Sequence, residues 1–190
     1  MSLEHGKWYE IDKKLVKRVE AALRKIPRST SGIKFPDYNH DSEAAYNKAI
    51  SDGENMICFD GKNIGYGGSY SKIEFCDVYS TKKKMIHMKR YSGSSTLSHL
   101  FNQGANAAEA LLDQEFRAAV NKKLPSKSKI GTPNEPKESL EVVFGIISKS
   151  ERDLDIPFFS KLSLKHIYSR LQNLGYKVSL VKVKNIRDGD

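Results

Sequence analysis

A chain of 190 residues, 38% hydrophobic and 29% charged, is long enough to bury a core and has the composition of a soluble domain. No run approaches the roughly 18 apolar residues of a membrane helix, and two cysteines build neither a disulfide framework nor a zinc site, so a reducing cytoplasm is expected. The net charge of +9 favours an acidic partner, nucleic acid before a membrane surface.

Met1-Ser2-Leu3 reads as a tag remnant, with residues 1–10 as tag or linker and 11–186 as one domain excised from a longer polypeptide. Leu15, Val16, Val19, Ala22, Leu23 and Ile26 recur at helical spacing behind a capping Asp12, and Pro27 ends that helix. A second, short helix is expected near 41–51, capped by Asp41 or Ser42. The period then changes. Met56 to Phe59 is a compact strand, Asp60-Gly61 a hairpin turn, and Asn63 to Tyr66 its partner strand. Beyond the flexible Gly67-Gly68-Ser69, Lys72 to Ser80 forms the third strand, Thr81-Lys82-Lys83 the turn, and Lys84 to Tyr91 the fourth strand.

A long helix follows over 96–123, with Gly104 as a point of bending, and then a proline- and lysine-rich loop over 125–137. Leu140 to Ile147 is apolar apart from Glu141, as in a strand covered on both faces, and a helix over 163–174 leads to a last strand over 176–183. This order predicts an α/β fold with a mixed sheet of five or six strands flanked by helices.

Asp77 in Ile73–Tyr79 and Lys89 in Met85–Lys89 are charged residues inside otherwise largely apolar strand runs. Charge is buried only when paired or bound to a metal. A turn centred on Lys82 sets Asp77 across from His87, with Lys89 two residues further on the same face. Carboxylate, imidazole and ammonium on one patch suit metal-assisted phosphodiester cleavage, with Asp77 and His87 as ligands and Lys89 beside the phosphate. A structural ion pair between Asp77 and Lys89 is the competing explanation.

A strand meander carrying an acid, a hairpin strand ending in x-x-Lys, then a helix and a further strand resembles the restriction-endonuclease-like fold. The resemblance implies that Asp77 and Lys89 hold the places of that superfamily's first acid and lysine, with His87 where a second acid stands. Histidine suits Mn2+ better than Mg2+. Glu74, three residues from Asp77, lies on the opposite strand face unless a bulge intervenes, and Glu20 on the first helix is a more distant metal candidate. More specifically, Ile86–Tyr91 followed by Leu97–Gly104 resembles a sporadically distributed family of bacterial proteins of unassigned activity, found near restriction-modification and other defence genes.

Ser94 and Ser95, at a helix start directly after Arg90, form with it a candidate phosphate site. Gln103, on the same helical face as His99, is a further nucleic-acid contact, and Tyr66 and Tyr70 are candidate base-stacking residues. The expectation is a nuclease-like domain of a bacterial defence system using Mg2+ or Mn2+. A nucleic-acid-binding or sensing domain without turnover, and a protein-interaction module of a larger toxin-like polypeptide, remain alternatives.

Overall fold

The computed structural model describes residues 2–4, 6–28, 30–65, 72–131, 139–151 and 156–187, apart from the side chains of 2–4, 8 and 9. Tyr66, Tyr70 and the Gly67–Ser69 link lie outside the described residues, as do 132–138 of the basic loop.

The chain opens with a small antiparallel pair, β1 (Ser2–Glu4) and β2 (Lys7–Tyr9). Helix α1 (Lys13–Leu23) starts where Asp12 accepts a hydrogen bond from the Leu15 amide at 2.8 Å. Helix α2 (Glu43–Ser51) is capped by Ser42, which accepts from the Ala45 amide at 3.1 Å.

Five strands make the central sheet: β3 (Met56–Cys58), β6 (Val78–Ser80), β7 (Lys84–Arg90), β8 (Glu141–Ser148) and β9 (Lys177–Lys184), in the order β3-β6-β7-β8-β9. The β3–β6–β7 part is antiparallel, while β7, β8 and β9 run parallel. The sheet is therefore mixed, as expected. The pairing of β3 is not. It lies beside β6, whereas β4 (Asn63–Gly65) and β5 (Lys72–Glu74) form a separate two-stranded sheet. The expected strand over 72–80 is thus two strands, interrupted at Phe75–Asp77.

The expected helix over 96–123 is also two: α3 (Ser94–Ala110) and α4 (Gln114–Lys122). Asp113 makes the break by capping the second, accepting from the Glu115 and Phe116 amides. Helix α5 (Phe158–Asn173) starts earlier than its apolar period suggested. The loop after α4 is anchored through 131. Asn121 brackets the Ile130 backbone with two 2.8 Å bonds, and the Tyr79 hydroxyl donates to the Ser128 carbonyl.

Alternate residues of the parallel strands feed two cores. Met85, Val142, Phe144, Ile146 and Leu180 pack with α1, α3 and α5, while Ile86, Met88, Val143, Val181 and Val183 pack with Tyr38 and with Tyr46 and Ile50 of α2. The sheet is covered on both sides, which accounts for the apolar run Val142–Ile147 within β8.

Gly104 lies within the continuous helix α3, where the helix comes close to the sheet. A Cβ there would lie 2.5 Å from Phe144 Cε1 and 3.2 Å from His87 Cδ2. Alanine would gain about 1 kcal/mol of helix propensity, but overpacking against a ring costs about 1–3 kcal/mol. Gly104→Ala is therefore expected to lower stability in urea denaturation by up to about 2 kcal/mol. An unchanged midpoint would show that α3 can shift away from the sheet.

Candidate functional site

The site is produced by a mismatch in strand length. Strand β7 continues to Arg90, but its antiparallel partner β6 begins only at Val78, so the ladder pairs Ser80 with Lys84 through Val78 with Ile86 and then opens. At the opening the register slips: the Asp77 amide donates to the Ile86 carbonyl at 3.0 Å. Beyond it the exposed amides of β7 are met by carboxylates instead of a strand. Asp77 Oδ2 accepts from the Met88 amide at 2.6 Å, and Glu43 Oε1 accepts from the Arg90 amide at 2.8 Å. Glu43 Oε2 also accepts from Lys89 Nζ at 2.7 Å. These two acids complete a strand edge that would otherwise carry bare donors.

Asp77 also organises the turn in front of it. Its carbonyl accepts from the amides of Phe59 and Asp60 at 2.8 and 2.9 Å. The turn continues through Gly61, whose φ of +69° favours glycine and whose amide donates to Glu74 Oε1 at 3.2 Å. Carboxylate oxygens of Asp60, Glu74 and Asp77 thereby come within 4.8 Å of one another. Asn47 Nδ2 holds Asp60 Oδ2 at 3.1 Å, and Gln103 Nε2 donates to Glu74 Oε2. Asp77 Oδ1 accepts no hydrogen bond among the described residues.

The acids line a cavity of about 420 Å3 together with Glu43, Lys89, Arg90, His99 and Gln103. Burial, and then the neighbouring Glu74, Asp60 and Glu43, push the Asp77 carboxyl up to about 7 despite the Met88 amide, which favours the anion. Lys89 shifts the other way in effect: its hydrogen bond from the ammonium to Glu43 raises its pKa and keeps it charged. Three acids with one firmly held ammonium form a locally anionic centre inside a basic protein. Such an all-oxygen donor set suits Mg2+ or Mn2+. His87 is not part of this group.

Among the residues singled out from sequence, Asp77, Lys89, Arg90 and Gln103 line this one cavity. His87 does not. Its ring is fully buried 6.3 Å from the Phe144 ring centroid, neither nitrogen has a hydrogen-bond partner, and burial lowers its pKa to about 3. At neutral pH it is a neutral packing group under α3. Ser94 and Ser95 begin α3 behind Gly93, with no side-chain cap, and lie outside the acidic cavity. Glu20 is elsewhere, on α1, 3.8 Å from Lys161.

Two participants, Glu43 and Asp60, were not identified from sequence: Glu43 lies in the expected short helix and Asp60 in the expected hairpin turn. Glu74 was a candidate for the second acid only if a bulge intervened in the strand. The signal for Glu74 was the broken alternation at Phe75-Cys76, two consecutive residues that are both fully buried.

The sequence profile of DUF6119, a family of unknown function, matches residues 2–184. The chain belongs to that family. No curated protein and no solved structure matches it. The family match spans the whole of the fold described above, so the acidic cavity lies within the DUF6119 region rather than in an addition to it.

Proposed function

We propose that this DUF6119 domain is a divalent-metal-dependent phosphodiesterase acting on nucleic acid, of restriction-endonuclease-like architecture and serving bacterial defence. The observation that carries this reading is the convergence of Asp60, Glu74 and Asp77 beside Lys89 where the β6–β7 ladder opens. The resemblance of the strand–strand–helix–strand order and of the Ile86–Gly104 segment supports it. The net charge of +9 supports a nucleic-acid substrate, and the restriction-endonuclease-like resemblance points to DNA before RNA.

The three carboxylates would hold Mg2+ or Mn2+, with Glu74 rather than His87 supplying the second acid. A bound divalent ion polarises a phosphate and lowers the pKa of water. The protein's own groups do the remainder. Lys89, fixed by Glu43, places a positive charge where the phosphate gains negative charge. Gln103 and Asn47 orient Glu74 and Asp60 and limit their movement.

The test is cleavage of plasmid, single-stranded DNA and RNA with Mg2+ and with Mn2+. Groups that only orient a metal ligand are worth ~10–100-fold, so Glu74→Gln is expected to lower the rate by more than about 100-fold. Lys89→Ala is expected to do likewise, while Glu20→Gln, in a different cavity, leaves the rate unchanged. Cleavage that survives both Glu74→Gln and Lys89→Ala removes the proposed site. Salt-sensitive binding without cleavage under either metal favours the binding or sensing domain instead.

A further inference from the structure

A second concavity lies immediately beside the acidic one. Strands β7, β8 and β9 are parallel and end together at Arg90, Ser148 and Lys184, and the crevice beyond the carboxyl ends of such strands is where open α/β sheets take ligands. Here it has a volume of about 520 Å3 and is lined by Arg90, Tyr91, Ser92, Lys149, Ser150 and Asn185 over a floor of Ile147 and Ser148. Arg90 lines both concavities, so the two are neighbours.

Its chemistry is mixed in a specific way. Arg90 and Lys149 supply positive charge, and three serines supply hydroxyls. The first turn of α3 opens alongside, at Gly93, with its amides uncapped by any side chain. Among the described residues only three large apolar or aromatic side chains are exposed, and Tyr91 is one of them, at 38%. Its backbone is fixed, since its amide donates to the Ile147 carbonyl at 2.9 Å. Tyr91 is thereby held at the groove, whose lining also includes Arg90 and Lys149. Cations for a phosphodiester and an aromatic face for a base are the two requirements of single-stranded nucleic-acid binding.

We infer that this groove is a track for an unpaired nucleic-acid strand, in which a base stacks on Tyr91 and the adjoining phosphates lie against Arg90 and Lys149. A duplex keeps its bases stacked on one another, so Tyr91 selects single-stranded or locally opened substrate. This inference rests on the phosphodiesterase reading only for what happens next: the strand passes Arg90 into the acidic cavity.

The experiment separates the two. Fluorescence anisotropy is measured with a labelled single-stranded 12-mer and with a hairpin duplex, in EDTA so that no cleavage occurs. Stacking of one base is worth ~1–3 kcal/mol, so Tyr91→Ala is expected to weaken single-strand binding about 5- to 150-fold, with Tyr91→Phe close to wild type. Lys149→Ala is expected to lower the slope of log affinity against log salt by about 0.7. Equal affinity for hairpin and single strand, unchanged binding by Tyr91→Ala, or no binding by the wild type at low salt each overturns the track. If Tyr91-dependent binding is found but no metal supports cleavage, the track stands and the phosphodiesterase reading fails. If cleavage depends on Glu74 but is indifferent to Tyr91→Ala, the converse holds.

Discussion

Replacing Asp77 by asparagine is expected to make the protein more stable above pH 7, not less. The amide oxygen can still accept from the Met88 amide, so the strand edge stays closed, while the charge is removed. In the native protein the Asp77 carboxyl is pushed up from 3.8 to about 7, chiefly by burial and then by neighbouring acids. Between those pH values the folded chain retains a proton that the unfolded chain has released. Unfolding therefore releases a proton, and stability falls as pH rises through this window. Below about pH 4 there is no penalty, and above about pH 7 it is complete. A shift of about three units corresponds to at most ~4 kcal/mol, so a gain of about 2–4 kcal/mol is expected for Asp77→Asn at pH 8, vanishing near pH 4. Urea denaturation at the two pH values measures it. A variant less stable than wild type at pH 8 would contradict the description of Asp77 as a destabilised acid.

The same substitution links stability to function. An acid that the fold would be more stable without calls for a functional explanation, and a divalent ion supplies one by reversing the penalty. Mn2+ binding to the native state alone adds about 2.7 kcal/mol at 100 times its dissociation constant. Wild type is expected to gain in melting temperature with Mn2+ at pH 8, and Asp77→Asn is expected to gain little.

The parts of this fold that were legible are those set by local chemistry. Asp12 and Ser42 are side-chain caps, and both helices begin at them. The Thr81–Lys83 turn gave the β6–β7 register as observed, Tyr79 facing Met85. The site was only half legible because it depends on the ladder stopping. Ile73 to Tyr79 reads as one apolar strand, yet the chain leaves one sheet after Glu74 and enters another at Val78. That crossing brings Glu74 and Asp77 together despite their parity. The slip at Asp77 separates it from His87, whose side chain follows the β7 alternation into the core beneath α3. Glu43 arrives from the start of α2 through its carboxylate and Asp60 from a distant turn through its backbone amide, and such long-range bonds leave no mark in residue spacing.

At the other end of β7, Glu141→Ala is expected to be among the most damaging single substitutions in the domain. Lys84 and Glu141 are partners across the start of the β7–β8 ladder, with side chains only 6% and 13% exposed, and they form a direct ion pair. Ser179 on β9 donates to the same carboxylate. Burial alone would raise the pKa of Glu141, but the bonds from Lys84 and Ser179 outweigh it and leave it below the usual glutamate value. Removing the acid strands a buried ammonium, a loss of about 3–5 kcal/mol. Replacing both as Lys84→Met with Glu141→Leu keeps the volume and removes both desolvation penalties, so the double variant is expected within about 1 kcal/mol of wild type or above it. A double-mutant cycle in urea measures the coupling, and simple additivity of the two single losses would show the pair to be unimportant. The pH dependence provides a second criterion. A depressed native pKa contributes stability that is present above the unfolded-state value and lost as pH falls through the native one. Lys84→Met is expected to reverse that sign, because burial without the ammonium favours the protonated acid. Lys84 lies five residues along β7 from Lys89, about 17 Å at strand rise, so the double variant is expected to retain whatever cleavage the wild type shows.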